Sequence, residues 1–153
     1  MTTMDDIDRK ILSVLSEDAR LSMDKVAERV PLSATPVRRR IRALEEAGII
    51  RRYTLAVDLK ACGYGLQLFA FVKLQSRDRA TIRDFEQRVC SLREVTSCHL
   101  ITGPHDYVLG LRLRDMESYN LFLRATLAEL PGVFGIETSV VIGEVKDSVP
   151  LPY

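Results

Sequence analysis

The chain has 153 residues, 46% of them hydrophobic, and a formal net charge of +1 at pH 7. That length holds one domain or two small ones, and the near-neutral balance by itself points to no polyanionic partner. Cys62, Cys90 and Cys98 are odd in number and have no CxxC spacing, which excludes a disulfide framework or zinc finger and favours a reducing cytosol. No apolar run approaches membrane-spanning length, and the opening Met-Thr-Thr-Met-Asp-Asp has no signal-peptide pattern.

Ile7, Ile11, Val14 and Leu15 recur at helical spacing, with Asp5, Asp6 and Asp8 in the first turn where the helix dipole favours negative charge. Ser22 is placed to cap a second helix with Met23, Val26, Ala27 and Val30 inward, and Leu21 precedes it as a staple. Val30-Pro31-Leu32 interrupts the pattern. Ser33 then caps a third helix running to about Ala47, with Gly48 positioned to end it in a left-handed conformation. Ile49 to Leu55 reads as a strand, a wing or a bridging strand.

The third helix carries Arg38, Arg39, Arg40 and Arg42, and residues 33–52 hold six arginines against two glutamates. Residues 59–153 hold 11 basic and 11 acidic residues, so the positive charge is local. Two helices, a short turn and a third, arginine-rich helix make a helix-turn-helix, whose last helix enters the major groove of double-stranded DNA by its N-terminal half. At about 100° per residue, Val37, Ile41 and Leu44 form the buried side. Thr35, Pro36, Arg38 and Arg39 are then expected near base edges, and Ser33, Arg51 and Arg52 near phosphate. Arg42 reaches either phosphate or a neighbouring glutamate. Arg40 points nearer the core and suits a flanking phosphate or an intradomain ion pair. The competing reading is a solvated face paired with Glu45 and Glu46.

Residues 57–65 read as a linker between a 1–56 winged helix-turn-helix domain and a 66–153 domain. The latter has the pattern β (66–76), α (79–91), β (94–102), β (107–114), α (116–130), β (134–146), a ferredoxin-like βαββαβ arrangement, so the overall class is α+β. In its first strand Leu66, Leu68, Ala70, Val72 and Leu74 should meet the helices, leaving Phe69 and Phe71 on the opposite face. A half-apolar open face needs cover, and a second copy of the domain supplies it, making Phe69 and Phe71 dimer-interface residues. The rivals are an RNA-stacking platform on Phe69 and Phe71 and a small amino-acid-handling enzyme with His105 and Asp106 as an acid/base pair. No nucleophile, metal cluster, phosphate loop or cofactor motif accompanies the second. Cys98 and His99 lie on opposite strand faces, which disfavours a metal site with His105.

The whole chain resembles the Lrp/AsnC, or feast/famine, family of transcriptional regulators. In the first domain the resemblance rests on Asp8 with Ile11-Leu12, Ala19-Arg20-Leu21-Ser22, Leu32 to Val37, Arg40-Ile41 and Leu44 to Ile50. In the second it rests on Cys98 to Leu109, Asp115-Met116, Tyr119, Leu130 to Val133 and Ser139-Val140-Val141. The resemblance implies a cytoplasmic regulator that binds pseudo-palindromic promoter DNA, dimerises through its sheet, often assembles to octamers, and takes an amino acid or related small metabolite between dimers. The family's Gly-x-x-Asp turn corresponds to Gly103-Pro104-His105-Asp106, with Asp106 expected to accept from an α-ammonium group. Leu100, Thr102, Met116, Ser139, Val140 and Val141 carry over by position as pocket or neighbouring residues. Two departures stand out. Pro31 replaces the family's usual glycine and cannot supply positive φ, so the turn must take another shape. His105 replaces an aromatic; counted with the effector residues, it is open to contact with a ligand carboxylate or to pH sensing near neutrality, and the favoured reading is an exposed turn residue.

Overall fold

The computed structural model describes residues 4–146. The described residues divide into two compact units, one holding 4–56 with 145–146, the other Val57–Glu144.

The first unit contains helices α1 (Asp6–Glu17), α2 (Met23–Ala27) and α3 (Ala34–Glu46). Asp5 caps α1 in a reciprocal arrangement: its side chain accepts from the Asp8 N–H at 2.8 Å, and Asp8 accepts from the Asp5 N–H at 3.2 Å. Ser22 caps α2 by accepting from Lys25 N–H. Ser33 stands at the N-cap of α3, but its side chain makes no capping bond. Ile11, Val26 and Val37, all fully buried, join Leu12, Leu15, Val30, Ile41 and Leu44 in one core. Gly48 adopts φ 69°, and the N–H groups of Ile49 and Ile50 both reach back to the Leu44 carbonyl, closing α3.

The turn before α3 contains no positive-φ residue. Leu32 N–H instead donates to the Val30 carbonyl at 2.8 Å, so the chain bends within the conformations open to Pro31. The strand expected over Ile49–Leu55 does not form. Its alternation is strand-like, but a strand requires a hydrogen-bonded neighbour, and these residues belong to no ladder among the described residues.

The second unit holds β1 (Leu66–Leu74), α4 (Arg79–Cys90), β2 (Val95–Leu100), β3 (Tyr107–Leu113), α5 (Met116–Phe122) and β4 (Val133–Val140). The sheet is antiparallel in the order β2-β3-β1-β4, which is the ferredoxin-like order. Leu68, Ala70 and Val72 of β1 and Leu109 and Leu111 of β3 are fully buried against Phe85, Val89, Tyr119, Phe122 and Leu127, so both helices cover one face. Phe69 and Phe71 lie on the other face, opposite Ser139 and Glu137 of β4. Asp78 and Asp115 cap α4 and α5 through backbone N–H groups.

β1 and β2 are each two or three residues shorter than expected, and two boundaries differ more. After Phe122 the expected single helix widens into a π turn over Leu123–Leu127, in which Ala128 N–H reaches five residues back to the Leu123 carbonyl. The last strand ends at Val140 rather than 146. Val141 N–H still donates to Gln67, but β1 begins at Leu66, so the ladder has no partner beyond that level.

Phe85 is fully buried, with its ring centroid 4.7 Å from that of Tyr107. Phe85→Ala should therefore cost this unit about 3–5 kcal/mol, read as a lowered unfolding midpoint in urea.

Candidate functional site

Two groups of residues carry the functional argument, one in each unit. In the first, α3 sorts its arginines by their surroundings. Arg40 is only partly exposed, and its guanidinium lies 2.7 Å from Asp8 and 2.9 Å from Asp5, an ion pair inside the domain. The Asp8 N–H bond and then Arg40 hold the Asp5 carboxyl below its usual range, although partial burial opposes them. Arg42 pairs with Glu46 one turn on, at 2.9 Å. Tyr53 donates to Glu45 at 2.7 Å, and burial, aided by that glutamate, pushes its hydroxyl up to about 12. Both glutamates of the helix are thus engaged. Arg38 and Arg39 are exposed and make no ion pair or side-chain hydrogen bond among the described residues. The solvated-pair reading therefore applies to Arg42 alone. Ser33, Thr35, Arg51 and Arg52 are also exposed, and Pro36 is half-buried.

In the second unit, the turn between β2 and β3 is clamped to the end of β1. Ile101 N–H donates to the Asp106 carbonyl, and Asp106 N–H donates to the Val72 carbonyl, each at 2.9 Å. Gly103 supplies φ 118° at the bend. The Asp106 side chain is buried; one carboxylate oxygen accepts from Leu74 N–H at 2.8 Å and the other from Arg77 Nε at 2.7 Å. The Leu74 N–H, followed by the Arg77 charge, holds its carboxyl below the usual range against the opposing effect of burial. This corrects the expectation that Asp106 faces a ligand ammonium: its oxygens turn inward and anchor the turn. Arg77, absent from the sequence reading, has no local signal; its role follows only from how the end of β1 meets the turn.

His105 is likewise not an exposed turn residue. Its ring lies 5.5 Å from that of Phe71, and its Nε2 is 3.3 Å from Glu137 of β4. His105 and Asp106 thus have separate partners and form no acid/base pair with each other. His105 also covers one side of Phe71, which leaves a poor platform for a stacked base. Burial pushes the Cys98 thiol up to about 11. Among the described residues, no group of three or more His, Cys, Asp and Glu side chains is placed to hold a metal ion.

The residues expected around an effector fall into two sets. Leu100, Thr102, Gly103 and Pro104 are exposed at the β2–β3 turn, level with Val72 of β1 through the Leu100–Tyr107 and Tyr107–Val72 pairs. Val140 pairs with Leu68, Ser139 with Phe69, and Val141 bonds to Gln67. Four residues along β1 and three strand spacings across the sheet separate the sets by about 20 Å. Met116 follows Leu113, whose partner is Leu66, and so lies toward the Val140 end. One copy of the chain does not bring these ten residues into one pocket.

Comparison with known proteins decides the family. A winged helix-turn-helix DNA-binding model matches residues 4–51, and a model of the Lrp/AsnC ligand binding domain matches residues 67–151. The chain belongs to the Lrp/AsnC family. It is 39% identical over 145 residues to the leucine-responsive regulatory protein of Escherichia coli K12, covering 95% of this chain and 88% of that one. It is 35% identical over 149 residues to the transcriptional regulator AzlB of Bacillus subtilis, covering 97% and 95%. A Neisseria meningitidis transcriptional regulator, solved as an L-methionine complex, superposes with a TM-score of 0.93 at 37% identity over 98% of this chain and 97% of that one. This Lrp/AsnC protein is therefore a DNA-binding transcriptional regulator with a separate ligand-binding domain; the relatives named are regulators rather than enzymes. No helix among its described residues is long and apolar enough to cross a membrane.

The Asp106 clamp sets a pH signature. Its carboxyl is depressed in the folded state, so its stabilisation is present above the unfolded carboxylate range, near about pH 4, and is lost as pH falls through the folded value. Asp106→Ala should destabilise the second unit by about 1–3 kcal/mol near pH 7, chiefly through Leu74, since Arg77 is largely exposed. Urea unfolding at pH 7 and pH 3 should show the gap from the parent protein narrowing in acid.

Proposed function

We propose that this protein regulates transcription as a homodimer or larger assembly whose grip on promoter DNA responds to an amino acid. The observation that carries the DNA half is the exposed, unpaired Arg38 and Arg39 on the third helix. A guanidinium without an internal partner is free to fork onto guanine O6 and N7. Thr35 and Pro36 in the first turn of α3 face the same groove. Ser33, Arg42, Arg51 and Arg52 contact phosphate, where they fix register without reading sequence. A reader of promoter DNA works where the chromosome is, in the cytoplasm.

The assembly half rests on the open sheet face. Phe69 is 40% exposed there, and Ile142 beyond the end of β4 is fully exposed. A second copy laid on this face covers Phe69 and Phe71 and sets two recognition helices for a pseudo-palindromic site. Residues 51–56, which carry no assigned element and no ladder among the described residues, are open to pairing with the same segment of the other copy. Octamers arise from further association of dimers.

For the effector, we propose a site completed between copies. One copy supplies the exposed turn of Leu100, Thr102, Gly103 and Pro104, held by Asp106 and flanked by His105. Another supplies Met116, Ser139, Val140 and Val141. Backbone N–H groups of the turn receive the ligand carboxylate, and the apolar residues receive its side chain. The L-methionine in the Neisseria meningitidis relative supports the amino-acid class.

Two measurements test these readings. Arg38→Ala combined with Arg39→Ala should weaken binding to the protein's own promoter fragment by about 100-fold at moderate salt; unchanged affinity in a gel-shift titration refutes the assignment. Phe69→Glu combined with Phe71→Ser should convert dimers to monomers by light scattering before it affects the fold of the first unit. A dimer that persists while DNA binding disappears would instead favour nucleic-acid contact at the sheet.

A further inference from the structure

A cleft of about 690 Å³ lies wholly within the 57–144 unit. It sits at the end of the β2–β3 pair away from the Gly103–Asp106 turn, about 17 Å along β2 from Leu100. None of the expected effector residues lines it. Three arginines do: Arg93, Arg112 and Arg114. None of the three side chains makes an ion pair or hydrogen bond among the described residues. Two carboxylates are close by. Glu94 is on the lining, and Asp115 is engaged in capping α5, so the site keeps a positive excess.

The rest of the wall is apolar. Leu121 is 65% exposed and Tyr64 is 44% exposed, so both offer apolar surface to an occupant of the cleft. The π turn after α5 borders the same cleft through Ala125 and Thr126. A π turn inserts a residue into a helix at a cost in hydrogen-bond geometry and recurs at ligand sites. Here it presents two small side chains and keeps the cleft open.

From this combination we propose that the cleft is a second small-molecule site that binds an organic anion: a carboxylate with a branched or aromatic apolar body and no α-ammonium group, as in a 2-oxo acid. The guanidinium groups take the carboxylate, and Leu121 and Tyr64 receive the apolar body. Three cations against the single lining carboxylate of Glu94 disfavour an α-ammonium, so the site favours an oxo acid over the matching amino acid by its net positive charge. It is separate from the turn at Gly103–Asp106 and does not depend on the effector reading given for that turn.

Titration calorimetry on the full-length protein with 3-phenylpyruvate and with phenylalanine tests the proposal. Saturable binding of 3-phenylpyruvate is expected, weakened about tenfold or more by Arg112→Ala with Arg114→Ala. Leu121→Glu should weaken it similarly, because the new carboxylate competes for the guanidiniums; Leu121 lies outside the core, so the fold should survive, as thermal unfolding will check. Leu100→Glu, at the far turn, should leave 3-phenylpyruvate binding intact. Absence of saturable binding, equal affinity for phenylalanine, or unchanged binding in both cleft variants overturns it.

Discussion

Asp8 sets the terms for the first unit. It is nearly buried at the start of α1, and a carboxylate in that position needs compensation. Arg40 supplies the cation from α3, and Asp5 joins both through the helix cap. The result ties the third helix to the first by charge as well as by the Val37, Ile41 and Leu44 stripe. It fixes which way α3 is rolled, and so which arginines face outward. A roll of about 100°, one residue's worth, would exchange the roles of Arg39 and Arg40. The outward position of Arg38 and Arg39 is therefore a consequence of the Arg40 contacts with Asp5 and Asp8.

The same logic governs the second unit. A carboxylate turned inward, Asp106, holds a loop in place by accepting from Leu74 N–H and Arg77. In both units an acidic residue that matches a family motif acts as an anchor for a neighbouring surface. The surfaces themselves, the side chains of Arg38 and Arg39 in one unit and of the exposed Thr102–Pro104 in the other, make no ion pair or side-chain hydrogen bond among the described residues. Rigid attachment close behind an unsatisfied face is what a recognition surface requires, since ordering it on binding would otherwise cost affinity.

Local pattern made much of this legible. Helical spacing placed Val37, Ile41 and Leu44 inward, alternation placed Phe69 and Phe71 outward, and the capping roles of Ser22 and Gly48 follow from residue type. What stayed hidden depends on partners distant in the chain. Arg77 looks like any surface arginine until Asp106 arrives from 29 residues away. His105 looks like a turn residue until Phe71 and Glu137 are beside it. The segment 49–55 has strand chemistry but no neighbour, because alternation reports only which side of a residue is apolar. The end of β4 was likewise set by where β1 begins, which the last strand's own sequence does not encode.

The distance of about 20 Å between the two sets of residues proposed to face the effector has a consequence for physiology. If each pocket is half of one molecule and half of another, a lone chain is blind to the metabolite. Sensing then scales with how much of the protein the cell holds, and ligand and self-association strengthen each other by thermodynamic linkage. Such a regulator measures two quantities together, the nutrient and its own abundance. A change in its expression would shift the nutrient level at which it responds, without any change in the pocket.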